Sequence, residues 1–138
     1  MTAYVDSSVL LRFILEQPDP LEELLRYDDR VTSLVTEVEC MCAVDMARER
    51  GDLDFDAAAD RRGVAHAYLR GMRRVSPSLS ILRRAGQPLL VPLRALDAIH
   101  VATAVIYRER RAPDLVFATH DRQQARAAAA LGFEVIGS

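Results

Sequence analysis

Asp114-Leu115-Val116-Phe117-Ala118-Thr119 is a short β-favouring run. It is followed by an Ala-rich helical stretch, Arg122–Leu131, which Gly132 ends, and then by Phe133-Glu134-Val135-Ile136. The run Leu115–Ala118 is continuously apolar rather than alternating, the pattern of a strand covered on both faces. Strand, helix and strand in that order give a parallel pair joined by a crossover helix.

The same alternation extends back to the N-terminus. Thr2–Val5 reads as a strand, and Ser7–Leu15 as a helix stopped at Gln17-Pro18. Leu21–Tyr27 is a short helix, and Val31–Val35 a β-branched strand. Thr36–Arg50 has helical spacing (Val38, Cys42, Ala43, Met46) and ends at Gly51. Asp54–Arg74 reads as a further helix, weakened by Gly63 and Gly71. Ser76-Pro77-Ser78 interrupts the chain, Leu79–Ala85 forms one or two helical turns, and Pro92–Arg111 is the most strongly periodic helix. The expected fold is α/β: a parallel central sheet with helices on both sides, in a single domain spanning residues 1–138.

Composition narrows the classes. Half of the 138 residues are hydrophobic and 28% are charged, which is ordinary for a globular domain. No apolar run reaches the roughly 18–20 residues of a membrane span, and the N-terminus lacks the pattern of a signal peptide. Cys40 and Cys42 diverge on a helix and read as reduced thiols, so a cytoplasmic location is expected. All 18 basic residues are Arg, and the net charge is −2. From Arg61 to Leu96 there are eight Arg and no acid, an asymmetry that fits a polyanionic partner. Arg73, Arg74, Arg83 and Arg84 flank the Ser76-Pro77-Ser78 break, so a turn brings both pairs to one edge of a groove, where they would hold a nucleic-acid backbone. They also read as solvated helix faces, or as partners of Asp52, Asp54 and Asp56.

In parallel sheets, sites form beyond the carboxyl ends of the strands. Asp6 follows the first strand, Thr36-Glu37-Val38-Glu39 the second, and Asp121 the strand ending at Thr119. Asp97 lies near the start of the long helix. Alone, each has a local explanation: Asp6 and Asp121 as helix caps, Thr36 and Glu39 as a capping box, and Asp97 as an acid favoured by the helix dipole. Asp97 resists that account, because Leu96, Ala98, Ile99, Val101 and Ala104 surround it with apolar residues and Arg94 lies elsewhere on the helix. Together the acids converge at one sheet edge. Crowded carboxylates take up protons or a cation, and hard oxygen donors select Mg²⁺ or Mn²⁺. Such a site beside an arginine-rich surface points to a metal-dependent nuclease. His66, His100 and His120 read as packing or surface residues.

Four segments in order resemble PIN-domain ribonucleases, specifically VapC-type toxins of bacterial type II toxin–antitoxin systems. They are Tyr4-Val5-Asp6-Ser7-Ser8-Val9-Leu10; Thr32-Ser33-Leu34 with Glu39; Leu93-Arg94-Ala95-Leu96-Asp97-Ala98-Ile99-His100-Val101-Ala102-Thr103-Ala104; and Ala118-Thr119-His120-Asp121-Arg122 with Leu131-Gly132-Phe133-Glu134-Val135. The resemblance spans essentially the whole chain. It implies a PIN-like three-layer α/β/α fold with about five parallel strands. It implies catalytic Asp6, Glu39, Asp97 and Asp121, with Asp6, Asp97 and Asp121 as ligands of Mg²⁺, for which Mn²⁺ would substitute. Ser7 and Thr119 would be supporting hydroxyls and His100 a structural residue. It further implies an RNA substrate, a cognate VapB-type antitoxin and a homodimer. Glu37 and Glu39 are about 200° apart on a helix, so one alone faces the site; the spacing from Ser33 favours Glu39. Two other classes compete: a catalytically inactive PIN-like module that binds RNA or protein, and a phosphotransfer domain with Asp6 as nucleophile. The latter usually has a second acid two residues on, where Ser8 stands.

Overall fold

The computed structural model describes residues 1–138. Five parallel strands lie in the order β3-β2-β1-β4-β5: β1 Thr2–Val5, β2 Asp29–Ser33, β3 Arg73–Val75, β4 Val116–Ala118 and β5 Val135–Ile136. Six α-helices connect them: α1 Ser7–Ile14, α2 Val35–Glu49, α3 Phe55–Arg70, α4 Leu79–Ala85, α5 Ala95–Arg110 and α6 Arg122–Ala130. A 3-10 turn, Glu22–Arg26, replaces the short helix expected at Leu21–Tyr27.

The alternation of β1 builds the two cores. Ala3 and Val5 pack with Val9, Leu10 and Ile14 of α1, Cys40 and Val44 of α2, and Ala65 and Leu69 of α3. Tyr4 points the other way, into a cluster with Val31, Phe117 and the α5 residues Val101, Ala104 and Val105. Its ring stacks on Phe117 with centroids 5.3 Å apart. The sheet is therefore covered on both faces, as its apolar strands require.

Several expected boundaries move. The helix read as Asp54–Arg74 ends at Arg70, with Gly71 as its C-cap, and Arg73–Val75 instead form the edge strand β3, paired with Val31–Ser33. Only one face of an edge strand this short is apolar, so its signal sinks into the preceding helix. The second strand begins at Asp29 and stops at Ser33. There the Ser33 hydroxyl accepts from the Val35 amide and turns the chain into α2, so the β-branched Val35 opens a helix rather than closing a strand. The Thr36–Glu39 capping box does not form. The Thr36 hydroxyl bonds to that of Thr32 at 2.6 Å, and Glu39 is engaged elsewhere. The long helix starts at Ala95, after Pro92 and Arg94.

The chain builds β1, β2 and β3 to one side, then crosses to β4 and β5 on the other. The reversal falls between β1 and β4, where a crevice opens at the carboxyl ends of the strands. The Asp6 amide donates to the Ala118 carbonyl at 3.0 Å, which extends the β1–β4 pairing to the foot of this crevice.

Candidate active site

Asp6 leaves β1 into the crevice and caps α1. Its Oδ2 accepts from the Ser8 amide at 3.0 Å, while its Oδ1 accepts from the Gln124 side chain at 3.2 Å. The residue is only 3% exposed. Capping and site membership are thus one conformation, since a carboxylate with two oxygens serves both.

Glu39 rises from α2 toward Asp6. Its Oε2 accepts from the Ser7 hydroxyl at 3.1 Å and its Oε1 from His100 Nε2 at 2.5 Å. Glu37 faces away, toward His66 at 3.9 Å and Arg74 at 4.0 Å. Of the two acids, Glu39 is the one on the side of Asp6.

His100 was the side chain that sequence reading missed. It is completely buried, and its Nε2 lies 3.5 Å from Asp6 Oδ1 as well as beside Glu39. Its Nδ1 is 2.7 Å from the hydroxyl of Tyr4. An ionised carboxylate can only accept, so Nε2 carries hydrogen whatever the charge of the ring. At the other end, the Tyr4 hydroxyl donates to a neutral ring and accepts from a charged one. Burial alone would lower the His100 pKa, but the bond to Glu39 and the charges of Asp6, Glu39 and Asp97 outweigh it and raise it above the usual range. The acids therefore do have a basic partner. The signal was available: His100 stands three residues after Asp97, on the same side of a helix.

Asp97 sits in the first turn of α5. Burial, then the charges of Asp6 and Asp121, push its carboxyl above the usual range; His100 opposes this and Glu39 adds to it. Asp97 and Asp121 line a common hollow of about 500 Å³, together with Arg94 and Gln123. Arg94 borders the same hollow as Asp97 but forms no ion pair with it.

Asp121 caps α6 through the Gln124 amide at 2.8 Å. Thr119 is buried, and its hydroxyl is used within the protein: it donates to Gln124 Oε1 at 2.7 Å and accepts from the Asp121 amide at 3.0 Å. Gln124 is a second residue missed by sequence reading. Fully buried, it ties Thr119 to Asp6. The Asp121-x-x-Gln124 spacing of a capping box was its only sequence signal.

Four acids from the ends of β1 and β4 and from α2 and α5 thus share one electrostatic environment. Their donors are hard oxygens, and the raised Asp97 carboxyl records a surplus of negative charge that a divalent cation relieves. The chemistry of the donors fits Mg²⁺ or Mn²⁺, although no three of these side chains already stand in ligating geometry. Behind them the Cys40 thiol is pushed up to about 12 by burial and by Glu39 and Asp6. It stays protonated and takes no part as a nucleophile.

The arginines lie elsewhere. Arg73 pairs with Asp29 at 3.4 Å and Arg84 with Glu109 at 2.8 Å, not with Asp52, Asp54 or Asp56. Arg73 and Arg74 border one hollow, Arg83 and Arg84 an adjoining one, both against the later turns of α5 rather than at the acids.

A three-layer fold with acids gathered at this crevice defines a class, and comparison agrees: the family model described as PIN domain matches residues 3–130. The chain belongs to the PIN-domain family, in its VapC branch. Ribonuclease VapC46 of Mycobacterium tuberculosis (strain ATCC 25618 / H37Rv) is 36% identical over 137 residues, covering 96% of this chain and 95% of that protein. Among solved structures, a toxin–antitoxin complex from Klebsiella pneumoniae has a TM-score of 0.67 at 18% identity, covering 97% of this chain and 95% of that one. VapBC2 from Rickettsia felis, bound to a DNA fragment from their promoter, has a TM-score of 0.64 at 14% identity, covering 98% and 97%. At those identities the likeness is one of fold. No helix is long and apolar enough to cross a membrane.

Proposed function

We propose that the chain is a metal-dependent endoribonuclease and the toxin of a VapBC-type module, restrained by a VapB-type antitoxin. The observation that carries this is the convergence of Asp6, Glu39, Asp97 and Asp121 on one crevice, with Asp97 raised by its neighbours. Asp6, Asp97 and Asp121 would hold Mg²⁺, with Mn²⁺ as a substitute. When bound, the ion polarises a phosphoryl oxygen and lowers the pKa of water.

The protein's own part is positioning. Ser7 and His100 each take one oxygen of Glu39, which fixes the carboxylate beside Asp6. Gln124 and the Ser8 amide hold Asp6 in turn. His100 offsets part of the carboxylate charge, so that the acids coexist in the folded chain. Exposed Val38, Cys42 and Met46, at four-residue spacing on α2, are available to a protein partner such as the antitoxin or a second copy in a homodimer.

Cleavage of labelled RNA tests the reading. Activity should need millimolar Mg²⁺ or Mn²⁺, stop in EDTA and vanish in Asp6→Asn, which should still bind RNA. Undiminished cleavage in EDTA overturns it.

A further inference from the structure

The hollow bordered by Asp97 and Asp121 has one cation on its rim, Arg94. Arg94 is exposed and stands three residues before Asp97, a spacing that puts Cβ atoms about 5–6 Å apart on a helical turn. An ion pair is easily made at that separation, and the acids are short of positive charge, yet none forms. The charges that act on the Asp97 carboxyl are those of Asp6, Asp121, His100 and Glu39, and Arg94 is not among them. Its guanidinium is not committed to the acids.

The Arg94 backbone, by contrast, is firmly held. Its carbonyl accepts from the Ala98 amide at 2.9 Å and so opens α5. Leu93 packs on the second core, and the Pro92 carbonyl accepts from the Gln123 side chain of α6 at 2.5 Å. Arg94 thereby becomes the N-cap of α5, with φ −68° and ψ 161°. Asp6, Asp54, Ser78 and Asp121 fill that position in α1, α3, α4 and α6, and each accepts from a first-turn amide. A guanidinium has no acceptor, and Arg94 makes no such bond. A residue that breaks the local rule without local gain is expected where function places it.

The reaction supplies the need. Even with a divalent ion and a charged His100, four ionised carboxylates leave the site negative, and a phosphodiester adds a further negative charge. Hydrolysis bonds the oxygen of water to phosphorus and breaks the bond from phosphorus to one ester oxygen. That oxygen leaves with the electron pair and takes up one proton of water; the other proton goes to the new phosphate or to solvent. The non-bridging oxygens stay negative throughout, and a planar fork of N–H donors matches two of them at once. We propose that Arg94 is a further catalytic residue, its guanidinium donating to the non-bridging oxygens of the phosphodiester being cut. This rests on the ribonuclease reading and adds to it the group that meets the phosphate.

The test uses the full chain in excess over trace-labelled total bacterial RNA in Mg²⁺, so that the plateau rate and the half-saturating protein concentration are read separately. In Arg94→Ala the plateau rate should fall about 100-fold, as when a donor to a developing oxyanion is removed. The half-saturating concentration should move by less than about threefold, since one phosphate contact is a small share of RNA affinity. Arg94→Lys, which keeps the charge without the fork, should fall between parent and Arg94→Ala. Added methylguanidinium should raise the rate of Arg94→Ala and leave the parent unchanged. Tm and Mg²⁺ affinity by isothermal titration should not fall in Arg94→Ala, because this side chain holds none of the acids. A parental plateau rate in Arg94→Ala overturns the inference and leaves the ribonuclease reading standing. So does a loss confined to the half-saturating concentration, which would make Arg94 a docking contact. A lowered Tm or Mg²⁺ affinity, with no recovery in methylguanidinium, would make it structural and overturns the inference as well. If the parent cuts no RNA in Mg²⁺ or Mn²⁺, the ribonuclease reading falls and the role of Arg94 falls with it.

Discussion

Tyr4→Phe removes one oxygen atom and little else. The Tyr4 side chain is completely buried, and its ring, stacked on Phe117 at 5.3 Å, keeps that contact in the variant. Its hydroxyl stays protonated, since burial and then Asp6 raise it well above its ordinary value. What is lost is the 2.7 Å bond to His100 Nδ1, which leaves a buried ring nitrogen without its partner. An orphaned buried polar group costs about 1–3 kcal/mol, the upper end applying when the ring is charged. Unfolding entropy of about 2.1 cal/mol/K per residue over 138 residues gives about 0.3 kcal/mol/K, so Tm should fall by about 3–10 °C. His100 then loses the anchor that aims Nε2 at Glu39, and RNA cleavage should fall about 10- to 100-fold, as when a group supporting a metal ligand is removed. Differential scanning fluorimetry and single-turnover cleavage check both parts. Tyr68→Phe, in a tyrosine that packs on Phe13 at 5.7 Å, is the control. A Tyr4→Phe protein whose Tm and cleavage both match the parent would refute the view that Tyr4 orients His100.

Asp97→Asn should abolish cleavage yet keep or raise Tm in EDTA at neutral pH. The raised Asp97 carboxyl means that its ionisation disfavours the fold above its ordinary range, and the amide removes that cost. A clear drop in metal-free Tm would instead make Asp97 a structural ion partner. The raised His100 has the opposite sign: its stabilisation is fully present below the ordinary histidine pKa and is lost as pH rises through the folded value. Urea unfolding in EDTA should therefore show stability falling as pH climbs from about 6 upward, with a flatter profile in His100→Ala. Gly137→Ala should cost about 1–3 kcal/mol by urea unfolding, since φ is 96° and a Cβ would meet the Thr119 carbonyl at 2.7 Å. Unchanged stability would mean that the C-terminal strand shifts freely.

The layered fold was legible because burial on both faces leaves continuous apolar strands, and glycines mark the ends of α2 and α6. Boundaries failed where one residue served two roles. Ser33 closes β2 and turns the chain into α2 through its own hydroxyl, and Arg73–Val75 carry too few apolar positions to announce a strand. The four acids were legible from their places after strands and in the long helix. Their partners were not. His100 and Gln124 occupy buried positions that on a linear pattern look like packing, and only the parallel register of β1 with β4 brings Gln124 within 3.2 Å of Asp6 across 118 residues of sequence.

That difference has a physical root. A carboxylate announces itself, because a charge among apolar neighbours is costly and needs a reason. The groups that supply the reason are uncharged or titratable, and one bond each suffices, so their sequence positions are weakly constrained. His100 meets Glu39 at one nitrogen and Tyr4 at the other, and each of those is satisfied in either charge state of the ring. The site can therefore change its charge without breaking a bond. Residues facing a charge that comes and goes need partners of this ambivalent kind, hydroxyl and imidazole. A fixed lysine at position 100 would keep its charge at neutral pH and hold the acids against one another. By this argument His100→Lys should preserve the metal-free fold better than His100→Ala, and should bind Mg²⁺ more weakly than the parent by isothermal titration. Equal Mg²⁺ affinity in His100→Lys and parent would show that the charge at this position is irrelevant to the site.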